Sequence, residues 1–448
     1  MEKDLTKGSV LKNLVGFSLP FLLSYFLQTL YGMADLFIIG KFEGVGVTTA
    51  VANGSQVMHM LTVMLVGLAM GSTVAIGQSI GKGDKKEVAK NIGNTVSVFM
   101  IISILLTVAL LFLRRPIISV MSTPEEAMPG MINYLTICFV GIPFITAYNI
   151  ISSIFRGMGD SKSPMFFIAV ACAANIVLDY LFMGVFGLGA AGAALGTTIS
   201  QAISVIISLA AVKGKNSGIK LEKSDFRPIK EIVSRLMRVG VPVMLQDGFI
   251  QVSFMVITII ANKRGLTDAA AVGIVEKMIG FVFLIPSSML SSVSALCAQN
   301  LGAGKPVRAK KTLGYAILIA AAFGFIVSIA VQFVAEPMVS LFTDKTSADG
   351  AEVIIRGGQY FRGYVWDCFF AGIQFSFSGY FCAIGRSEIS FLHNIISITT
   401  TRIPGAYLTS KFFPRTLLPM GLASAAGSLV STIVCVIAYI RQHRTIRG

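Results

Sequence analysis

The sequence predicts an all-α polytopic membrane protein, with twelve transmembrane helices in two homologous six-helix bundles. Three observations carry that prediction. Of the 448 residues 54% are apolar and 13% charged, and the apolar residues come in blocks of twenty or more, long enough to cross a hydrocarbon core of ~30 Å as helices. Most of the 37 Lys and Arg fall on alternate connections between those blocks, the asymmetry expected of cytoplasmic loops. The second half of the chain also repeats the first.

Breaks at charged or Gly/Pro-rich stretches place the spans at 13–40, 48–77, 91–113, 132–153, 164–186, 190–212, 235–262, 270–299, 312–335, 358–380, 386–411 and 417–440. The densest basic cluster, Lys213 to Arg238, lies between the sixth and seventh spans, and a second lies at Lys82 to Lys90. With these on the cytoplasmic face of the cell membrane, both termini are cytoplasmic and the lipid bilayer is the main partner. The net charge of +15 is then a topology signal, and no nucleic acid is expected. The first apolar run is too long for a cleavable signal and should remain as an uncleaved first helix. Six cysteines lie inside spans at no metal-ligand spacing, so neither a disulfide framework nor a zinc site is expected.

The repeat is read from short matched stretches. QSIGKGDKKEVAKNIG at 78–93 lies over QNLGAGKPVRAKKTLG at 299–314, GMGDS at 157–161 over AIGRS at 383–387, and Pro20 over Pro242. This gives a first lobe at 1–212, a cytoplasmic linker at 213–234 and a second lobe at 235–448. Each lobe has an even number of spans, so the two are parallel repeats, a duplication typical of transporters that alternate access. The GxG in each matched loop lacks the strand and terminal Lys-Ser/Thr of a phosphate loop, and is read as a helix stop before a basic connection. The small-residue runs near 187–196 and 421–428 are read as packing.

The first span, NLVGFSLPFLLSYFLQTLYGMADLFIIG, would measure ~42 Å as a helix, so it must tilt or bend, and Pro20 is the natural place. Asp35, near its far end, costs about 2.5 to 3.5 kcal/mol on insertion scales and must face protein or water. Asp179, Glu276 and Asp367 lie at similar depth in the outer half of spans five, eight and ten. Asp247 lies nearer the cytoplasm on span seven. Asn175 and Asp179, four apart, share one helix face, and Thr197 on span six lies at similar depth. Two carboxylates, a carboxamide oxygen and a hydroxyl suit a hard monovalent cation or proton sharing, because buried paired carboxylates resist carrying two charges. Glu276 beside Lys277 and Asp367 near Arg362 are read either as compensated pairs or, with Asp247 and Gln251, as a candidate second-lobe cavity. His59, His393 and His443 are lone residues read as solvated or helix-packing.

At these residues the chain resembles the multidrug and toxic compound extrusion (MATE) family. The resemblance covers nearly the whole length: DLFIIGKF closing span one, GQSIGKGD and AQNLGAGK after spans two and eight, and RGMGDSKSP before span five. It implies a V-shaped pair of bundles that exports drugs or toxic metabolites, cationic or lipophilic, against entry of H+ or Na+. It also implies that Asp35, Asn175, Asp179 and Thr197 form the cation site and that Pro20 is the bend of the first helix. No cofactor is expected beyond the coupling ion, and the chain is read as a monomer. A flippase for a lipid-linked saccharide precursor would want several basic residues in its cavity, whereas only Lys277 and Arg402 lie inside spans. A membrane-embedded enzyme would need an intramembrane His pair or a nucleophile with a base, which the sequence lacks.

Overall fold

The structure, a computed structural model, describes residues 4–121, 123–214, 219–343 and 348–445. Three-residue pieces of the two termini and residues 215–218 of the linker lie outside it, as does the side chain of His443. Long helices dominate. They are α1 (Val10–Phe42), α2 (Val45–Lys82), α3 (Lys85–Val120), α4 (Met128–Val140), α5 (Ile142–Gly157), α6 (Lys162–Asp179), α7 (Gly189–Gly214) and α8 (Lys230–Asn262). There follow α9 (Leu266–Val282), α10 (Leu284–Gly302), α11 (Pro306–Val339), α12 (Ala348–Tyr364), α13 (Trp366–Ala383), α14 (Ser387–Ser397), α15 (Ile403–Phe412) and α16 (Leu418–Thr445). Ten of the twelve stretches read from the sequence lie on one of these helices or on a consecutive pair, and the other two, 164–186 and 386–411, also take in a π turn.

By length and composition, nine described helical stretches could cross a membrane, or ten when α4 and α5, bent by 47° at their junction, are joined. The break falls at Gly141, with Pro143 two residues on, where the missing N–H and the ring both oppose a continuous helix. The other two stretches fall short for physical reasons. Span 358–380 is divided at Val365 between α12 and α13, with Arg362 and Asp367 on either side. Span 386–411 is interrupted by a π turn, Ile398–Arg402, that ends on a charge.

The chain divides into two compact units. The first is Met1–Gly8, Leu19–Met244 and Ala298–Lys305; the second is Ser9–Ser18, Leu245–Cys297 and Pro306–Gly448. Three helices, α1, α8 and α10, change unit along their length, and the first two do so beside the proline that the repeat matched. In α1 the division falls two residues before Pro20, and in α8 two residues after Pro242. Both prolines stand inside continuous helix, where each leaves one carbonyl of the preceding turn without its amide donor.

In the first unit, α2 and the end of α10 cross at the matched loops. A Cβ at Gly81 would strike the Gln299 carbonyl, and one at Gly302 would strike the Gln78 carbonyl, so equivalent glycines of the two repeats each accept the other helix's backbone. Two residues later, Gly83 (φ 76°) and Gly304 (φ 70°) stop their helices in the left-handed region. The second half of the linker is pinned to α3: Asn94 donates from Nδ2 to the Asp225 carbonyl (3.1 Å) and accepts from the Ile229 N–H at Oδ1 (2.6 Å), while Ser97 donates to the Phe226 carbonyl (2.6 Å). α3 presents an exposed apolar stripe, Ile101, Ile104, Leu105, Val108 and Phe112, at helical spacing.

In the second unit, Gly363 of α12 and Gly421 of α16 make the corresponding close crossing, each against the other helix's backbone. Arg264, after α8, binds Asp268 at 2.6 Å and fans onto the carbonyls of Ser410, Phe413, Pro414 and Thr416, fastening the loop before α16. His393 packs, as expected: its Nε2 lies 2.9 Å from the Ser378 hydroxyl and its Nδ1 3.2 Å from that of Ser431. Ser431 donates to the His393 carbonyl, which leaves Nδ1 to donate and Nε2 to accept, so a neutral ring is satisfied on both sides.

Candidate functional site

The site lies wholly in the first unit, where α1, α6 and α7 meet. Asp35 is 5% exposed, and Asn175 and Asp179 are fully buried. α6 brings Asn175 and Asp179 to one face, and immediately beyond Asp179 the helix widens into a π turn, Tyr180–Val185. Such turns interrupt the regular ladder and often mark functional positions. Gly187 (φ 62°) and Gly189 (φ 55°) then reverse the chain in left-handed conformations that only glycine adopts freely. α7 returns with Gly189, Gly192 and Gly196 on one face. A Cβ at Gly192 would crowd the π turn, and one at Gly196 would overlap the Asp179 carboxylate. The small-residue run read as packing therefore includes a residue of the site.

The amide of Asn175 joins the two acids. Oriented to satisfy its neighbours, its nitrogen donates to Asp35 Oδ1 at 2.7 Å and to Asp179 Oδ2 at 3.3 Å. The sequence reading had the carboxamide oxygen facing in; here the nitrogen does, because both neighbours are acceptors. The Asp35 and Asp179 carboxyls also lie in hydrogen-bonding contact with each other. Two carboxylates that close need a proton or a cation between them, since a buried like-charge pair is strongly disfavoured. Among the described residues, no basic side chain acts on either acid.

The Tyr31 hydroxyl, one turn before Asp35, faces Thr197 and both acids. Neither that hydroxyl nor Thr197 Oγ1 has a completed hydrogen bond among the described residues, and nearby on α7 Thr198 Oγ1 and Gln201 Oε1 are also unpartnered. Oxygen atoms dominate this set, which suits a hard cation or a hydrated proton. Its wall is apolar: Ile38, Ile39, Met131, Tyr134, Leu135 and Cys138 form one buried cluster around the C-terminal half of α1. Tyr31 and Gly196 went unread in the sequence. Tyr31 could have been found from its four-residue spacing to Asp35.

The acids of the second unit are arranged differently. Asp367 does not pair with Arg362, which binds Glu336 through two hydrogen bonds of 2.8 and 2.7 Å. Five residues apart on a helical path, the two side chains point ~140° away from each other. Asp367 instead faces Arg402, 3.5 Å away. Glu276 does not pair with Lys277, an exposed residue; one of its oxygens accepts from Thr258 at 3.2 Å. Asp247 is not among the groups acting on Glu276 or Asp367, and its electrostatic neighbour is Cys382. Gln251 of α8 has no hydrogen bond to them.

With this geometry in view, comparison with known proteins is decisive at the level of family. A family model described as MatE matches residues 20–181 and 242–408, one match on each repeat. The chain belongs to the MatE family. Among curated relatives, the probable multidrug resistance protein YpnP of Bacillus subtilis is 29% identical over 420 residues, covering 94% of this chain and 93% of that one. The multidrug export protein MepA of Staphylococcus aureus is 24% identical over 441 residues, covering 98% and 95%. Among solved structures, a multidrug resistance MATE family transporter in an outward-facing conformation aligns with a TM-score of 0.90 at 22% identity, over 99% of this chain and 98% of that one. That likeness shows the shared fold, an all-helical arrangement of membrane spans in keeping with two six-helix repeats.

Proposed function

We propose that this MatE protein is a secondary antiporter of the cell membrane, with both termini cytoplasmic, that exports cationic or lipophilic small molecules while H+ or Na+ enters. The observation that carries the reading is the Asn175 amide set between the buried carboxyls of Asp35 and Asp179. Such a pair holds one positive charge stably and two negative charges poorly, so it loads and unloads an ion. The names of the relatives, multidrug resistance and export proteins, support the substrate class. The protein is read as a monomeric transporter with no catalytic chemistry of its own.

In this reading the ion enters between Asp35 and Asp179, with Thr197 and Tyr31 supplying further oxygens. Na+ would require the Asn175 amide to turn its oxygen inward, whereas a shared proton leaves the nitrogen where it stands. Asp35 rides on the part of α1 beyond Pro20, where the helix has lost a hydrogen bond, so loading the pair changes how that part packs. Efflux of a fluorescent organic cation from proteoliposomes, with proton and sodium gradients imposed separately, tests this. One gradient should drive export; export indifferent to both would overturn the reading.

A further inference from the structure

The second unit buries a cation of its own. Arg402 ends the π turn Ile398–Arg402 and is 7% exposed. Its Nη2 donates to the Tyr364 hydroxyl at 2.7 Å and lies 3.5 Å from Asp367 Oδ2. The guanidinium also stands over the Phe254 ring at 4.9 Å, a placement that favours a cation. Glu276 acts electrostatically on the same guanidinium, so two acids from α9 and α13 share one fixed positive charge.

The cluster is polar and under-bonded. Asp367 is fully buried, and neither of its oxygens accepts a hydrogen bond among the described residues. Glu276 Oε1, the Tyr360 hydroxyl and Arg402 Nε are likewise unpartnered. Each unit thus sets two acids beside a π turn, both buried in the first unit, and in the second Asp367 buried and Glu276 half-buried. In the first, no basic side chain reaches them; in the second, Arg402 does.

The geometry points to Arg402 as a tethered cation, filling in the second unit the place that the free coupling ion takes in the first and so confining ion coupling to Asp35 and Asp179. This rests on the antiporter reading above. A guanidinium keeps its charge at any physiological pH, so Asp367 is neutralised throughout the cycle and recruits no free ion. Removing that charge leaves an uncompensated buried carboxylate, which must take up a cation or a proton.

The test uses the full-length chain in detergent at alkaline pH, with radiosodium as the probe. The Asp35→Asn/Asp179→Asn protein should bind no Na+. Adding Arg402→Gln should create stoichiometric Na+ binding, lost again on adding Asp367→Asn and not created by Arg402→Lys. The proposal is overturned if the double variant with Arg402 intact still binds Na+ and Asp367→Asn or Glu276→Gln abolishes that binding. It is also overturned if an Arg402→Gln protein with the normal chromatographic profile gains no binding. The first comparison needs no Arg402 variant, so it decides the matter even if Arg402→Gln misfolds. Failure of the antiporter reading looks different: the double variant would keep ion-driven export, and Asp367→Asn would change nothing.

Discussion

The carboxylate of Asp179 occupies the space that a Cβ would need at Gly196. α7 therefore approaches the acid pair as closely as a helix can, and the glycine is the reason. Gly196→Ala must push either the helix or the carboxylate aside. Overpacking of this kind costs about 1–3 kcal/mol, so the ion concentration giving half-maximal efflux should rise by roughly tenfold to a hundredfold. An unchanged half-maximal concentration would show that the close approach has no bearing on the site.

The reciprocal crossing of Gly81 and Gly302 makes a second prediction, about stability. Each glycine receives a backbone carbonyl of the other helix, and backbone cannot move aside as a flexible side chain can. Gly81→Val and Gly302→Val should each destabilise the protein by at least ~1–3 kcal/mol, read as a lower midpoint in thermal unfolding followed by size-exclusion chromatography. At Gly273, inside α9 and with nothing within 4 Å of where a Cβ would stand, alanine should not lower the midpoint and should raise it slightly, since alanine favours a helix over glycine by about 1 kcal/mol.

The ion pairs of the second unit should differ sharply in value. Arg264 and Asp268 have side chains only 7% and 9% exposed, and the guanidinium also serves four carbonyls. Arg264→Ala should cost up to about 3–5 kcal/mol by leaving buried Asp268 with only the looser contact to Arg356, 3.8 Å away, and Arg264→Lys should recover little because an ammonium lacks the fork. Arg362 and Glu336, each about a third exposed, should contribute ~1 kcal/mol or less. Equal losses at the two pairs in denaturation midpoints would contradict this ranking.

These cases show what the sequence could reveal. Asp35, Asn175 and Asp179 were legible because a charge inside an apolar run is conspicuous and a four-residue spacing fixes a shared helix face. Thr197 followed from counting depth. Gly196 was not legible, since its role depends on how closely α7 meets α6, and that distance is set by packing across a turn of two left-handed glycines. The partner of Asp367 was missed for a similar reason. Arg362 is near in the chain but points away, whereas Arg402 arrives on a distant helix. The break at Val365 carries no proline, and the π turn Ile398–Arg402 is marked only by Pro404 beyond it, so these spans of the second unit read as continuous apolar runs.

The central claim is that Asp35 and Asp179 together carry the coupling ion. Asp179→Asn keeps the shape and the link to Asn175 but removes one negative charge, and it is tested in proteoliposomes under whichever gradient drives export by the unaltered protein. Ion-driven efflux should fall to the level seen without a gradient, while the protein inserts and elutes normally. Full ion-driven efflux by that variant would contradict the account.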